Sequence, residues 1–434
     1  MELRLQELQL ETVLPVLAVL VLVGFLLVLL AMSFTLAGSF NHPAKPVAGG
    51  SVTQPNHPSV ALDSQRQTTA RAYARARHRL LLADVLVSFA LVVGFLLSGA
   101  SVWLKNVLLF LPSPWLLVVL YAAAVFIGYI IVMLPLSWYG GFVLPHRFGM
   151  STQTRRGWLS DQTKSLALGL LMGLPVALAV YGLLDARPKD WWLWAGALFV
   201  PLSVLIDYVA PVLIMPIFYK LTPLDDPALV QRVTLLAQQT GLRIAGVYTI
   251  NLSSRTRAAN ALFMGLGRTK RIALGDTLYA DFSHDEIETI IAHELAHQVH
   301  HDLPLGAAMQ ALLTFGGLYV THLFLRWGVA RFGFAGVSDI AALPLLVLAA
   351  AVFSLLTMPL ANAYSRWRER LADAFAMRVT GKARAFAAAM IRLANQNLAQ
   401  VDPPRWLVWL LYSHPPIAER IAVAEQQARQ NGGK

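Results

Sequence analysis

The amino-acid sequence predicts an α-helical integral membrane protein with about seven transmembrane helices. Of its 434 residues, 56% are hydrophobic and only 14% are charged, whereas soluble domains carry about 25% charged residues. Several apolar stretches are long enough to cross a bilayer, which takes about 20 helical residues. They lie at residues 13–37, 80–101, 115–139, 165–184, 191–218, 303–325 and 340–361.

The first apolar stretch, residues 13–37, predicts a retained transmembrane helix. A cleaved secretory signal begins with basic residues and has a shorter apolar core. Here residues 1–11 contain three glutamates, and the core is as long as a full bilayer crossing. We therefore count this stretch as the first of the seven spans.

Basic residues concentrate in alternate connections between the predicted spans. The connections after spans one and three carry Lys45, Arg66, Arg71, Arg75, Arg77, Arg79, Arg147, Arg155, Arg156 and Lys164. By the positive-inside rule, the N-terminus lies outside, and the polar segments 219–302 and 362–434 both lie in the cytoplasm. Because these basic residues flank apolar stretches, the formal charge of +11 favours contact with anionic lipid headgroups over nucleic acid.

This topology divides the chain into four parts. They are residues 1–218 with spans one to five, 219–302 as a first polar block, 303–361 with spans six and seven, and 362–434 as a second polar block. Residues 247–251 and 271–274 predict two short strands joined through a glycine-containing stretch. Ser283, with Glu286 three residues later, predicts the start of a helix. Both polar blocks lie on one face of the membrane, so together they can build one site.

A metal-binding motif lies on that predicted helix. It reads His293-Glu294-Leu295-Ala296-His297. Residues i and i+4 share a helix face, so the two imidazoles can bind one metal ion while the glutamate reaches a water on that ion. Since the chain has no cysteine, any metal site must use histidine and carboxylate ligands. A helix that carries these histidines without a metal is the competing interpretation.

A zinc ion held by two histidines needs a third protein ligand. The chain lacks the glycine and the histidine that the extended metzincin motif requires at positions 300 and 303. The second polar block offers Glu369 and Asp373, which are four residues apart. We predict Glu369 as the third ligand and Asp373 as the acceptor that orients a metal-bound histidine. A surface helix in which Glu369 pairs with Arg366 or Arg370 is the alternative.

Two more polar residues, His301 and Asp302, follow the histidine pair. They could extend the polar network around the metal, or they could form the solvated end of the helix. Polar groups at a helix end are stabilised there without any metal. We therefore expect the solvated end.

With these motifs assembled, the chain resembles the type I CAAX prenyl protease family, integral-membrane zinc metalloendopeptidases of the a-factor-converting type. The His-Glu-x-x-His motif is shared by many peptidases. Ser-Arg-x-x-Glu-x-x-Ala-Asp at 365–373 and Ser-His-Pro-Pro at 413–416 followed by Arg420 are more specific to the family. Asn-Ala-Leu-Phe at 260–263 is similar to its substrate-aligning edge strand. The resemblance covers nearly the whole chain, with Ala296 where relatives commonly have glycine.

The resemblance implies a role for each of these residues. One zinc ion per chain is bound by His293, His297 and Glu369, and Glu294 is the general base. His414 and Arg420 stabilise the oxyanion or hold the substrate carbonyl, a task for donors that lie opposite the metal. The residues that bind an extended substrate as an added strand are Asn260, Ala261, Leu262 and Phe263.

The resemblance also implies the architecture and the partners. The transmembrane helices enclose a chamber within the membrane, capped by a mainly helical, zincin-like catalytic domain with a small β-hairpin. The substrate is a peptide or protein, and a family-typical one carries a prenylated C-terminal CAAX segment. In a bacterial homologue, which we expect here in the inner membrane, quality control of membrane proteins is the alternative; a eukaryotic source would imply the endoplasmic reticulum. The oligomeric state does not follow from the sequence.

A second class of function is an inactive membrane scaffold or transporter that keeps the fold. Inactive relatives of an enzyme lose the catalytic base or a metal ligand. This chain retains Glu294, both histidines, Glu369 and His414. The sequence therefore favours an enzyme.

Overall fold

The computed structural model describes residues 61–265 and 270–432. The first predicted span, residues 13–37, lies outside the described residues. The helices, numbered in chain order, are α1 Ser64–Leu97, α2 Ala100–Leu108, α3 Pro114–Arg147, α4 Arg155–Ala186, α5 Trp191–Val209, α6 Ala210–Phe218, α7 Pro227–Gln239, α8 Asp276–Asp281, α9 His284–Val299, α10 Asp302–Phe332, α11 Leu343–Thr380, α12 Ala383–Gln396, α13 Arg405–Leu411 and α14 Ile417–Gly432.

Within the described residues, the predicted spans are confirmed. Five helices are long and apolar enough to cross a bilayer, namely α1, α3, α4, α10 and α11. Helices α5 and α6 pass the same test together and are bent by 46° at the break between them. Pro211 lies directly after this break, at the start of α6; proline removes a backbone hydrogen bond and is a common cause of bends in helices. These six units coincide with the second to seventh apolar stretches of the sequence.

Several helices extend well beyond their apolar stretches. Helix α1 begins at Ser64, four turns before its apolar part, and α11 continues to Thr380 as one 38-residue helix. The boundary that we placed between residues 361 and 362 therefore lies inside α11. One rigid element carries residues from the predicted membrane region directly into the second polar block.

The first polar block contains a four-stranded mixed sheet. Its strands are β1 Leu221–Pro223, β2 Gly246–Ile250, β3 Ala261–Met264 and β4 Arg271–Gly275, in the order β1-β2-β4-β3. The two predicted strands are present as β2 and β4, but they pair in parallel. The hairpin is formed instead by β3 and β4, which are antiparallel. The chain between β2 and β4 returns as β3, and this short strand was not distinguishable from a loop by residue pattern alone.

One hydrophobic core joins the sheet to the helices of both polar blocks. The centre of β4 is fully buried at Ile272, Ala273 and Leu274. Apolar residues of α7, α9, α12 and α14 pack in the same cluster. Helix α9 also packs against α11 and against strand β3. The two polar blocks therefore form one unit around α9, the candidate catalytic unit, as expected for blocks that were predicted to share one face of the membrane.

Candidate metal centre and active site

Helix α9 places two histidines side by side. A capping box starts the helix: the Ser283 hydroxyl accepts a hydrogen bond from the Glu286 amide, and the Glu286 carboxylate accepts one from the Ser283 amide. This arrangement satisfies two amides that a helix start leaves unpaired. Three turns later, His293 Nε2 and His297 Nε2 lie 3.3 Å apart. The helical spacing therefore directs both nitrogens to one point.

A carboxylate from α11 meets this histidine pair. Glu369 Oε2 lies 3.2 Å from His293 Nε2, and Glu369 Oε1 lies 3.6 Å from His297 Nε2. The ligand atoms of the three residues all lie within 4.8 Å of one another. The alternative partners of Glu369 are engaged elsewhere, because Arg370 pairs with Glu419 and Arg366 donates to the backbone of the 405–412 region.

These three side chains fit a metal ion. Ligand atoms about 2.0–2.2 Å from a tetrahedral ion lie about 3.3 Å from one another, which matches the observed separations. Glu369 Oε2 is buried and, as long as the imidazoles are neutral, has no hydrogen-bond donor among the described residues. A buried carboxylate oxygen without a donor is costly, and a cation between it and the imidazoles would remove that cost. Two imidazoles and one carboxylate form the ligand set of a catalytic metal site with an open position.

Asp373 and Arg420 support the inner histidine. Asp373 Oδ1 lies 2.9 Å from His293 Nδ1. Arg420 donates two hydrogen bonds to the same carboxylate, at 2.8 Å and 2.6 Å. Burial alone would lower the pKa of His293, but the carboxylates of Asp373 and Glu369 outweigh it and raise the pKa to about 9. In the absence of a metal, the imidazole of His293 is therefore protonated at neutral pH.

A matching arrangement supports the outer histidine. Asp302 Oδ2 lies 2.7 Å from His297 Nδ1. Arg368 contacts the other oxygen of Asp302 and donates to the carbonyl of His300 at 3.0 Å. The expectation of a solvated helix end is therefore wrong for Asp302, which is part of the polar network around the site.

Glu294 lies between the two histidines in the sequence, and their charges act on its carboxyl group. Burial raises the pKa of its carboxyl above the ordinary value, and the positive charges of His293 and His297 act against this shift. A glutamate with a raised pKa close to a metal site is poised to accept and return a proton. Its role as the general base stays a prediction.

His414 lies at the open side of the cluster. Its Nε2 is 3.5 Å from Glu369 Oε1, its Nδ1 shares a hydrogen bond with the Ser413 hydroxyl at 2.9 Å, and its side chain is 59% exposed. An exposed imidazole beside the third ligand can reach a bound substrate. Arg420 lies deeper, with a side chain that is 11% exposed. The contact that we predict between Arg420 and substrate stays a prediction, because its Nε and Nη2 both donate to Asp373.

The predicted substrate strand forms the edge of the sheet. Strand β3 pairs with β4 on one side only, as the last strand in the order. Ala261 is buried, Leu262 and Phe263 are partly buried, and Asn260 is exposed. The Asn260 side-chain oxygen accepts a hydrogen bond from the Ala261 amide at 2.9 Å. An edge strand beside α9 leaves backbone groups with which an extended peptide can pair.

Two sequence families together match nearly all of the described chain. Residues 51–220 match the family described as CAAX prenyl protease N-terminal, five membrane helices, and residues 223–428 match peptidase family M48. The uncharacterized metalloprotease YhfN of Bacillus subtilis is 32% identical over 375 residues, which cover 85% of this chain and 88% of YhfN. The chain belongs to peptidase family M48.

A second relative and a solved structure support the assignment of this chain to family M48. CAAX prenyl protease 1 of Saccharomyces cerevisiae is 32% identical over 323 residues, covering 68% of this chain and 69% of the yeast protein. The crystal structure of S. mikatae Ste24p matches with a TM-score of 0.76 and 26% identity, covering 84% of this chain and 90% of Ste24p. The protein is therefore a multi-pass membrane metalloprotease of the CAAX prenyl protease type, and its family implies a metal cofactor.

Sequence reasoning ranked the wrong alternative first for Asp302 and gave Arg368 no role at the candidate site. Asp302 reaches His297 because His301 adopts a left-handed backbone conformation with φ of 53°, which turns the chain sharply between α9 and α10. Pro304 was the available signal, since proline is tolerated in the first turn of a helix but not in its interior. It indicates that a new helix starts just before it, so that Asp302 lies at a corner and not on a continuing solvated helix.

Proposed function

We propose that this protein is a zinc metalloendopeptidase in which His293, His297 and Glu369 hold the zinc ion. The observation that carries the proposal is that these three side chains lie together, with ligand atoms within 4.8 Å of one another. Glu369 belongs to a different helix and follows His297 by 72 residues in the sequence. Two neutral imidazoles and one carboxylate are ligands that zinc prefers. The absence of cysteine from the chain leaves no thiolate alternative.

The chemistry divides between the zinc ion and the chain. A bound zinc ion lowers the pKa of water and polarises a carbonyl. Glu294 accepts the proton of the attacking water and returns it to the leaving amine. The imidazole of His414 donates a hydrogen bond to the carbonyl oxygen as negative charge develops there. Arg420 acts through Asp373, which it holds against His293 by two hydrogen bonds.

The substrate is a peptide that binds in extended form along β3. Backbone pairing with a free strand edge is independent of the side chains of the substrate, so β3 can hold peptides of different sequence in extended form. Asn260, at the exposed start of the strand, is positioned to hydrogen-bond the peptide. Ala261, Leu262 and Phe263 supply the strand itself.

We propose that the site faces the cytoplasm and that the membrane helices enclose a chamber above it. The support for the first statement is the positive-inside distribution of basic residues. In a bacterial cell this would be the inner membrane. The relatives named CAAX prenyl protease 1 support a C-terminal, prenylated CAAX-type peptide as the substrate class. Quality control of membrane proteins is the second candidate. It is the alternative for a bacterial homologue, and the relative YhfN is from a bacterium.

Paired test peptides would separate these substrates. Peptides of the same sequence, with and without a farnesyl group on the cysteine, are incubated with purified protein, and the products are identified by mass spectrometry. We expect release of the last three residues from the farnesylated peptide only. Equal cleavage of both peptides would favour quality control. No cleavage of either, by protein that contains one zinc ion per chain, would favour the inactive scaffold.

A further inference from the structure

The corner between α9 and α10 brings an acid back onto a metal ligand. Helix α9 ends at Val299, His301 takes a left-handed conformation, and α10 begins at Asp302. Left-handed backbone is unfavourable for residues other than glycine, so other interactions must hold the corner. The result is a distance of 2.7 Å between Asp302 Oδ2 and His297 Nδ1.

Arg368 ties this corner to the helix of the third ligand. It contacts Asp302 Oδ1 and donates to the His300 carbonyl at 3.0 Å. Its side chain is 11% exposed, the same fraction as that of Arg420. Since Arg368 immediately precedes Glu369 on α11, the group that holds Asp302 and the third ligand move together.

The two sides of the site are therefore built alike. On one side Arg420 holds Asp373, which contacts His293; on the other Arg368 holds Asp302, which contacts His297. A carboxylate on Nδ1 keeps the proton there, so that Nε2 presents its lone pair to a metal. The four supporting residues come from three helices other than α9: Asp302 from α10, Arg368 and Asp373 from α11, and Arg420 from α14.

We propose that Asp302, held by Arg368, is a positioning residue for zinc binding: it fixes the tautomer and the ring orientation of His297. This inference rests on the proposed zinc site and adds two residues to it. Asp302 is also the first residue of α10, a helix long and apolar enough to cross the membrane. The outer histidine is thereby connected to the membrane helix, whereas the inner histidine is connected to the C-terminal helix α14.

The test compares zinc affinity in a series of full-length variants. Asp302→Ala removes the acceptor, and Asp302→Asn keeps an acceptor of the same shape without the charge. The matched control is Asp285→Asn, since Asp285 lies on the same helix as the histidines but is 55% exposed and pairs with Lys382. Zinc affinity is measured by competition with a chelator, and Co²⁺ absorption spectra report the coordination geometry.

We expect Asp302→Ala to weaken zinc binding by about 10–100-fold, Asp302→Asn to weaken it less, and Asp285→Asn to leave it unchanged. The Co²⁺ spectrum should change in Asp302→Ala and Arg368→Gln. Equal zinc affinity in the Asp302 variants and wild type would overturn the proposal, even if the variants unfold at lower temperature. If Asp302→Ala does not fold, Asp302→Asn alone decides between these outcomes. Failure of wild-type protein to bind zinc would instead reject the proposed function.

Discussion

The catalytic unit and the membrane helices bury their apolar residues against different surroundings. In the catalytic unit, Ile272 and Leu274 of the sheet and Ile291 of α9 have no exposed surface. In the membrane helices, Leu171 and Leu312 are 71% and 69% exposed, which only lipid can cover at low cost. The catalytic unit is thus stabilised by its own core, while the membrane helices combine a core of their own with apolar faces that depend on the bilayer.

The two regions nevertheless share two helices. Helices α10 and α11 pack together as a hairpin; α10 begins at Asp302, beside one metal histidine, and α11 carries Glu369 and Asp373 beside the other. The candidate metal site thus lies where the hairpin enters the catalytic unit. We infer that the chemistry is local to this junction, whereas stability is distributed over both regions, and the following variants test this division.

The largest expected effect is on the rate of peptide cleavage, without a change in stability. Glu294→Gln keeps the shape of the side chain but removes the base, so we expect peptide cleavage to fall by about 10²–10⁴-fold. Zinc content and thermal unfolding should match wild type, because Glu294 is not a predicted ligand. Cleavage assays with metal analysis on the same sample check this. Retained cleavage would remove Glu294 from the mechanism.

The next largest effect is on the stability of the catalytic unit. Asp373→Ala leaves the buried guanidinium of Arg420 without its partner, and breaking a buried ion pair in this way costs about 3–5 kcal/mol. Hydrogen exchange should increase in α9, α11 beyond residue 361, and α14, while α3 and α4 stay protected. The surface variant Arg370→Gln, which breaks the exposed pair with Glu419, should cost less than about 1 kcal/mol. Uniform loss of protection across both regions would show that they unfold as one unit.

A smaller effect is expected in the membrane hairpin. A Cβ added at Gly328 of α10 would lie 2.5 Å from Leu345 Cδ1 of α11, and Leu345 is fully buried. Gly328→Ala should therefore destabilise the hairpin by about 1–3 kcal/mol, measured by thermal unfolding in detergent. Gly306→Ala on the same helix meets nothing within 4 Å and should not destabilise it. An equal effect of both changes would contradict the close packing of α10 on α11.

The last prediction concerns pH and the metal. Without metal, the pKa of His293 is raised to about 9, above the ordinary value of 6.5 for the unfolded chain. The protonated imidazole therefore stabilises the metal-free protein fully below about pH 6.5, and this contribution is lost as pH rises through about 9. Zinc must displace that proton, so zinc affinity should rise about tenfold per pH unit up to about pH 9. Calorimetry in buffers of different ionisation enthalpy should detect the released proton; a pH-independent affinity would contradict the raised pKa.

Local patterns in the sequence predicted most of the membrane region and the core of the site. Hydropathy is a property of each segment alone, so six of the seven spans could be checked and are present. The i, i+4 spacing of His293 and His297 follows from helix geometry. The sequence could predict that Glu369 lies beside these histidines because both motifs are recognisable in it. The distances between the three side chains depend on how α11 packs against α9.

What the sequence could not predict depends on contacts between distant segments. Strand β1 has three residues and ends in Pro223, so it has no periodic pattern, and the parallel pairing of β2 with β4 depends on the position of β3. Asp302 reaches His297 only through the left-handed turn at His301. Arg368 looks like a surface charge until α11 packs against the corner between α9 and α10.

The most direct test of the central claim is X-ray absorption spectroscopy at the zinc edge of the purified protein and of Glu369→Ala. We expect two imidazole nitrogens at about 2.0–2.1 Å and a carboxylate oxygen at about 2.0–2.2 Å in the wild-type protein, and loss of the carboxylate in the variant. Identical spectra for the two proteins, with a third imidazole in place of the carboxylate, would contradict the joining of α9 and α11 through one zinc ion.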